Sequence, residues 1–399
     1  MKQIINLIAL LAAAIAVHAA DWPNFRGPNA DGIAPDTGLN KNWSAQPPRE
    51  LWRVTMGDDG YAGPSVANGK VFIVDHKGEK DVVRAIDCAT GKDVWTFPYS
   101  DGSSANFGFA RATPVVEAGK VFTASRHGVV NCLDEKTGQP IWTKNVVKEF
   151  NGEIPAWQMA WSPLVDGDKL IVCPGGSGTA VVALNKNTGA VLWKGGGDDK
   201  PGYATPVVAT IGGKKQYVVF TGYHLIGVDA ANGALLWEVK WKTQYDVNAA
   251  TPVVIGNKIF IASNYGHGCA MVAVTGNSAS ITWQNKELQC HFNSPILFGG
   301  QLYGISDHLA CLDPQTGKAL WKQSGFEKGG LVIADGVIIA VNGSNGTVTM
   351  AEAKPGAYRE LGKFKPLGGQ SWTAPIIANG KLILRNKTAL ACFDLKSAR

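Results

Sequence analysis

Asp87-Cys88-Ala89-Thr90-Gly91-Lys92-Asp93-Val94-Trp95 is one copy of a pattern that returns along the chain: an Asp or Asn, a Gly four residues on and a Trp eight residues on. The other copies are Asp134/Gly138/Trp142, Asn185/Gly189/Trp193, Asp229/Gly233/Trp237 and Asp313/Gly317/Trp321. In four of the five, a Thr stands before the Gly (Thr90, Thr137, Thr188, Thr316). The residue types fit a hairpin. An Asp or Asn side chain accepts from turn amides, and Gly supplies a positive φ. The Trp falls on the following strand, where a large flat ring fills the wedge between neighbouring repeats. These residues read as framework.

Upstream of each copy, a proline opens an apolar run, at Pro64, Pro114, Pro163, Pro206, Pro252, Pro295 and Pro375. The long gap before Pro375 contains a hidden unit in which Leu331 takes the proline's place, giving eight units in all. Each unit holds four short β-branched and aromatic runs separated by Gly, Asn and Asp turns, so it reads as four antiparallel strands, A to D from the axis outward. Units of this length and content are β-propeller blades. The seventh has Glu352, Gly356 and Glu360 in the Asp, Gly and Trp positions, and the fifth keeps Trp283 behind a different turn. The eighth ends at Asp394-Leu395 with no room for strand D, and Arg49-Glu50-Leu51-Trp52-Arg53-Val54 has the sequence of that strand. The expected fold is an all-β, eight-bladed propeller of four-stranded blades whose ring is closed by an N-terminal strand, which removes an open sheet edge.

The expected organisation is a signal peptide over 1–20, a Pro/Gly-rich extension over 21–48 and the propeller over 49–399. Lys2, the apolar run Ile4 to Val17 and the small residues before Asp21 have the layout of a cleavable leader, and no later segment is apolar and long enough to span a bilayer. The first cysteine is Cys88, so a lipid anchor near the start is not expected. The expected location is therefore periplasmic or secreted, as a soluble monomer. The net charge of +6 is spread over scattered lysines and arginines, which gives no reason to expect nucleic acid. Seven cysteines in an oxidising compartment would ordinarily pair. Cys132, Cys311 and Cys392, however, occupy the position of Ala183 in a sister unit, which fits buried free thiols. Cys269 and Cys290 lie in neighbouring units and could pair.

Function is sought on the face bearing the B–C loops and the D-to-A crossings, because the A–B and C–D turns are tight and repetitive. His76, His127, His224, His267 and His308 are assigned to B–C loops there, with His291 in a crossing. The candidates for a ligand-binding funnel around the axis are Tyr61, Arg111, Trp161, Tyr203, Asn248, His291, Phe292 and Trp372. No histidine pair has a metal-type spacing, and no metal site is expected. The extension, with Trp22-Pro23-Asn24-Phe25-Arg26-Gly27-Pro28, is expected to be pinned to the propeller surface by Trp22 and Phe25.

With these repeats in hand, the chain resembles the pyrroloquinoline-quinone-like repeat superfamily over essentially its whole length beyond the leader. It is most similar to the cofactor-free exported members, among them the outer-membrane assembly factor BamB. The resemblance implies a non-catalytic scaffold that binds a protein or polysaccharide partner through one loop face, with no cofactor. The alternative it implies is a quinoprotein alcohol or sugar dehydrogenase holding pyrroloquinoline quinone and calcium on the axis. Such enzymes typically carry adjacent cysteines and a catalytic Asp among calcium ligands. Cys-Cys does not occur, and Asp198, Asp199 and Asp246 form no transferable motif. Trp161, Trp372 and Arg111 are the residues that could sandwich and anchor the quinone. A second alternative is a carbohydrate or other small ligand in the aromatic funnel.

Overall fold

The computed structural model describes residues 20–105 and 107–396, so the expected leader lies outside the described residues except for Ala20. Eight separate antiparallel sheets follow one another around a ring. Strand A of blades 1 to 8 spans Ser65–Ala67, Val115–Glu117, Leu164–Asp166, Val207–Ile211, Val253–Ile255, Ile296–Phe298, Leu331–Ala334 and Ile376–Ala378. Each proline of the repeat stands immediately before its strand A, where it has no ladder hydrogen bond to give up. Strands B and C are buried on both faces and read as nearly continuous apolar runs. In blade 1, strand B is Lys70–Lys77 and strand C is Lys80–Asp87. Strand D of that blade, Asp93–Ser100, is the outer edge and alternates between exposed and half-buried residues.

The repeat residues hold the blades together in the expected way. Asp87 Oδ1 accepts from the amides of Ala89 and Thr90 and from the Thr90 hydroxyl, while the Gly91 amide donates to the Asp87 carbonyl. Gly138 has a φ of 71°, and a Cβ there would lie 2.5 Å from the ring of Trp95 in the preceding blade. Glycine is thus required both for the turn and for the ring that packs beneath it. The indole N–H of four of these tryptophans donates across the blade interface, from Trp95 to Glu135 O, Trp142 to Lys186 O, Trp283 to Pro314 O and Trp321 to Lys354 O, whereas that of Trp237 donates to Gln216 Oε1 within its own blade.

Ring closure also agrees with expectation. Arg49–Thr55 pairs antiparallel with Ala389–Asp394 as strand D of blade 8, with Trp52 opposite Cys392. That pairing matches Trp142 opposite Cys132 and Trp321 opposite Cys311. The Trp52 indole donates to Cys88 O at 3.0 Å and its ring packs under Gly91, so the closing strand makes the standard wedge with blade 1. All seven cysteines are buried and free, Cys269 and Cys290 included.

Blade 7 departs from the expected register. Glu352 holds the Asp position, but Glu360 does not hold the Trp position, because the C–D hairpin is two residues longer than in blades 1 to 4 and 6, a length shared with blade 5, where Met271 faces Trp283. Ala351 faces Glu360 and Met350 faces Gly362, just as Leu312 faces Ala319 and Cys311 faces Trp321 in blade 6. Gly362 therefore replaces the Trp, and the vacant wedge is filled from elsewhere. Trp43, only 1% exposed, lies over Gly362, where an added Cβ would come within 2.7 Å of it, and meets Phe364 edge-on at 5.2 Å.

The extension is correspondingly not a surface strap. Asn68 and Asn379, in the A–B turns of blades 1 and 8, bind Asp21 and Ala20 at its start. Trp22 then pairs antiparallel with Val66, and the Val116 amide donates to Pro23 O, so the chain climbs the axial face of blades 1 and 2. It reverses at Arg26 and Gly27 and descends with Ile33–Ala34 parallel to strand A of blade 7, as a fifth strand of that sheet. The result is a hairpin plug in the axial channel. Gly27 has φ 86° and a Cβ there would strike the Trp22 ring at 2.7 Å, while the Arg26 guanidinium donates to Pro295 O of blade 6 at 2.7 Å.

Candidate functional site

The crossings between blades meet above the plug. They are tied to one another near the axis by hydroxyls just ahead of the prolines. Thr113 N donates to Ser162 Oγ, Ser162 N to Thr205 Oγ1 and Thr251 N to Ser294 Oγ, over 2.8 to 3.0 Å. This belt fixes the crossings, and the side chains that follow enclose an axial cavity of about 340 Å3. Trp22, Phe25, Arg26 and Gly32 of the plug line it from below, so the channel is a cup open on the loop face.

Six of the eight expected funnel residues line this cup: Tyr61, Arg111, Tyr203, His291, Phe292 and Trp372. Two do not. Trp161 is buried among Ala112, Phe150 and Leu170 in the core between blades. Asn248 is fully buried and donates to the carbonyls of Thr221, Gly222 and Trp241, which braces the crossing while Val247 and Ala249 face the axis. The cup instead takes Trp157, Phe107, Tyr265 and Lys328. Trp157 sits one helical turn's spacing before Trp161. Sequence spacing alone does not tell which of the two faces the axis in a loop without regular structure.

The aromatic side chains form a connected wall. Tyr61 stacks on Trp372 at 4.9 Å, Trp372 meets Phe292 at 4.6 Å, Phe292 stacks on His291 at 4.1 Å and Tyr265 stands edge-on to His291 at 5.0 Å. Burial, with Lys328 nearby, lowers His291 to about 4, so the ring is neutral at neutral pH. The charged lining is basic throughout: Arg26, Arg111 and Lys328, with no carboxylate among the lining residues. Burial lowers both Arg26 and Arg111 to about 10, which leaves each guanidinium charged at pH 7. Arg111 donates to the carbonyls of Trp157 and Gly108 and so holds two crossings together.

The remaining histidines do not converge. His76 belongs to strand B of blade 1 rather than to a loop, with Nδ1 2.7 Å from Asp81 and its ring stacked on Phe109 at 3.6 Å. His127 pairs with Asp101 and His224 with Asp199, in blades 2 and 4. His224 and His308 each open a strand C, and His267 stands edge-on to Trp241. His76, His127, His224 and His267 each have separate local partners, and His308 is exposed. Among the described residues no group of three or more His, Cys, Asp or Glu is arranged to hold a metal ion.

A calcium–quinone pair does not fit the cup. Its lining offers no carboxylate to ligate calcium or to act as a base. Trp372 already packs against Tyr61 and Phe292, and Trp161 lies in the core, so the two rings do not stand as a pair that could sandwich a quinone.

The family described as outer membrane protein assembly factor BamB matches residues 37–107 and 79–323. The BamB of Yersinia pestis is 25% identical over 371 residues, which cover 86% of this chain and 87% of that protein. Among solved structures, BamB from Moraxella catarrhalis aligns with a TM-score of 0.64 at 16% identity, covering 87% of this chain and 99% of that one. Quinohemoprotein alcohol dehydrogenase from Comamonas testosteroni aligns with a TM-score of 0.53 at 14% identity, covering 97% of this chain and 82% of that one. At such identities the structural likenesses establish the propeller fold alone.

Proposed function

The chain belongs to the family of the outer membrane protein assembly factor BamB, and from that membership we propose that it is an extracytoplasmic, non-catalytic scaffold for a protein partner in outer-membrane protein assembly. The observation that carries this reading is the asymmetry of the ring. One face is closed by uniform hairpins and by the plug, while the other gathers an irregular aromatic cup from all eight crossings. A rigid framework that varies only on one loop face suits recognition, and its chemistry is that of a binding surface. Among the described residues no helix is long and apolar enough to cross a membrane, which accords with a partner-bound role.

The test is site-specific photocrosslinking in cells of the source organism. Probes at Phe107 and Tyr245 on the loop face should capture a protein, and probes at Lys136 and Gln315 in C–D turns should not. Capture through the turns alone overturns the reading. Titration with pyrroloquinoline quinone and calcium is a second arm. Alcohol-dependent dye reduction would replace the scaffold with a dehydrogenase.

A further inference from the structure

The rim of the cup carries features that the ring does not need for its own stability. Phe107, Tyr245 and Tyr265 expose 59, 55 and 38% of their surface, whereas Tyr61, Phe292 and Trp372 are half-buried and His291 is buried. The backbone beneath the rim is left-handed at Phe107, Gln158, Tyr245, Asp246, Tyr265 and Lys328, with φ between 56° and 64°. Away from the rim, in the A–B turns, that conformation falls on Asn68, Ala118, Asp335 and Asn379, small residues suited to tight turns. A bulky aromatic in this region is unfavourable, and such positions concentrate where a side chain must be aimed. Here they turn three rings toward solvent around one opening.

The interior of the cup is chemically one-sided. Arg26, Arg111 and Lys328 contribute positive charge, and among the described residues the lining includes no Asp or Glu. Asp59 and Asp246 stand outside the lining, and Asp59 is paired with Lys387 at 3.0 Å. Two side chains of the lining also have a buried polar atom without a partner, Trp157 at Nε1 and His291 at Nδ1. Buried polar atoms are ordinarily satisfied, so these two mark local strain in the wall, and both are shielded from the free space of the cup. The cup is closed below by the plug and is near the lower limit of ligand-pocket volumes, so it admits the tip of a segment and not a passing chain.

We propose that the cup is a docking site for a protruding segment of the partner protein that presents an apolar side chain next to a carboxylate. The apolar group fills the aromatic wall and the carboxylate meets the field of Lys328 and Arg111, while the exposed rim rings cover the flanking backbone. The inference rests on the scaffold reading for the identity of the partner as a protein, but its chemistry is tested independently.

Calorimetric titration of the purified protein uses capped pentapeptides. Acetyl-Gly-Asp-Phe-Asp-Gly-amide should bind at least about tenfold more tightly than its counterparts with Asn or Lys in place of Asp, or Ala in place of Phe. Its affinity should fall with rising salt. Lys328→Met and Tyr245→Ser should each weaken it about threefold or more while leaving the melting temperature unchanged. Equal affinity for the Asp, Asn and Lys peptides, or no effect of Lys328→Met, would overturn the proposal. Phenylacetate binding as tightly as the peptide would replace the protein segment with a small organic anion and overturn it too. Loop-face crosslinks with a flat peptide series would sink this inference alone. Selective peptide binding with crosslinks only at the turns would sink the scaffold assignment instead.

Discussion

Trp43→Ala tests whether the extension is part of the ring or merely rests on it. Trp43 is 1% exposed and packs on Gly362, Phe364 and, through Phe364, the Phe393 ring of blade 8. Truncating a buried Trp of this kind costs about 3–5 kcal/mol, as lost burial plus the cavity left behind. Unfolding a ring of about 370 residues releases about 0.8 kcal/mol/K, so the melting temperature should drop by about 4–6 °C. Trp43→Phe keeps an aromatic partner for Phe364 and should lose about half as much. Differential scanning calorimetry of the purified protein, with exposed Ser44→Ala as control, makes the comparison. A change within about 1 °C for Trp43→Ala would refute the claim that this residue substitutes for the missing wedge Trp of blade 7.

The other predictions concern closure and protonation. Trp52→Ala removes the closing wedge and its bond to Cys88 O, and should increase proteolysis at both chain ends as well as lowering the melting temperature; unchanged cleavage would argue against closure by this strand. Burial, with Asp101 alongside, raises Asp81 to about 6 from 3.8. The native state then holds that proton more tightly than the unfolded chain, so this group's contribution to stability falls as pH rises from about 4 to 6. Asp81→Asn should remove that slope from a melting-temperature series, and an identical slope would exclude Asp81 as its source. His291 behaves oppositely. With its pKa lowered to about 4, the native state binds fewer protons between about 4 and 6.5, and stability rises with pH across that window. Its imidazole resonances should titrate near 4 by NMR, and a midpoint near 6.5 would contradict its burial.

The blade count and the closing strand were legible because their signals are local. Asp87, Gly91 and Trp95 sit at fixed offsets in one hairpin, and Leu51-Trp52 carries the strand D pattern where strand D is missing. What failed to read out was relational. Glu360 occupies the expected offset for Trp, and only pairing to strand C reveals that the longer hairpin puts Gly362 there. Trp161 and Trp157 are both plausible axial residues in sequence, and their roles are decided by packing within an irregular crossing. The plug was missed for a similar reason. Pro and Gly in Trp22 to Gly32 signal the absence of regular structure, but nothing local says that the neighbouring surface is the inside of a channel. The Ser/Thr-Pro pairs at Thr113, Ser162 and Ser294 are the local signal of the hydroxyl belt, since each places a hydroxyl one residue ahead of the proline that precedes a strand A.

The plug and the cup are mechanically one unit. An eight-bladed ring has an axial opening that its own short A strands do not fill, and an open channel would leave apolar side chains such as Ile296 and Ile376 facing water on both sides. Trp22 and Phe25 cover them from below, and Gly32 allows the descending strand to pass within contact of Ile296. The same segment then leaves the channel at Asp36, which accepts from the Gly380 amide, and delivers Trp43 to blade 7 and Arg49–Thr55 to blade 8. One stretch of chain therefore sets the floor of the site, fills a defective blade interface and closes the ring. A variant that loosens Trp43 should consequently perturb the cup as well as stability, which a merely covering extension would not do.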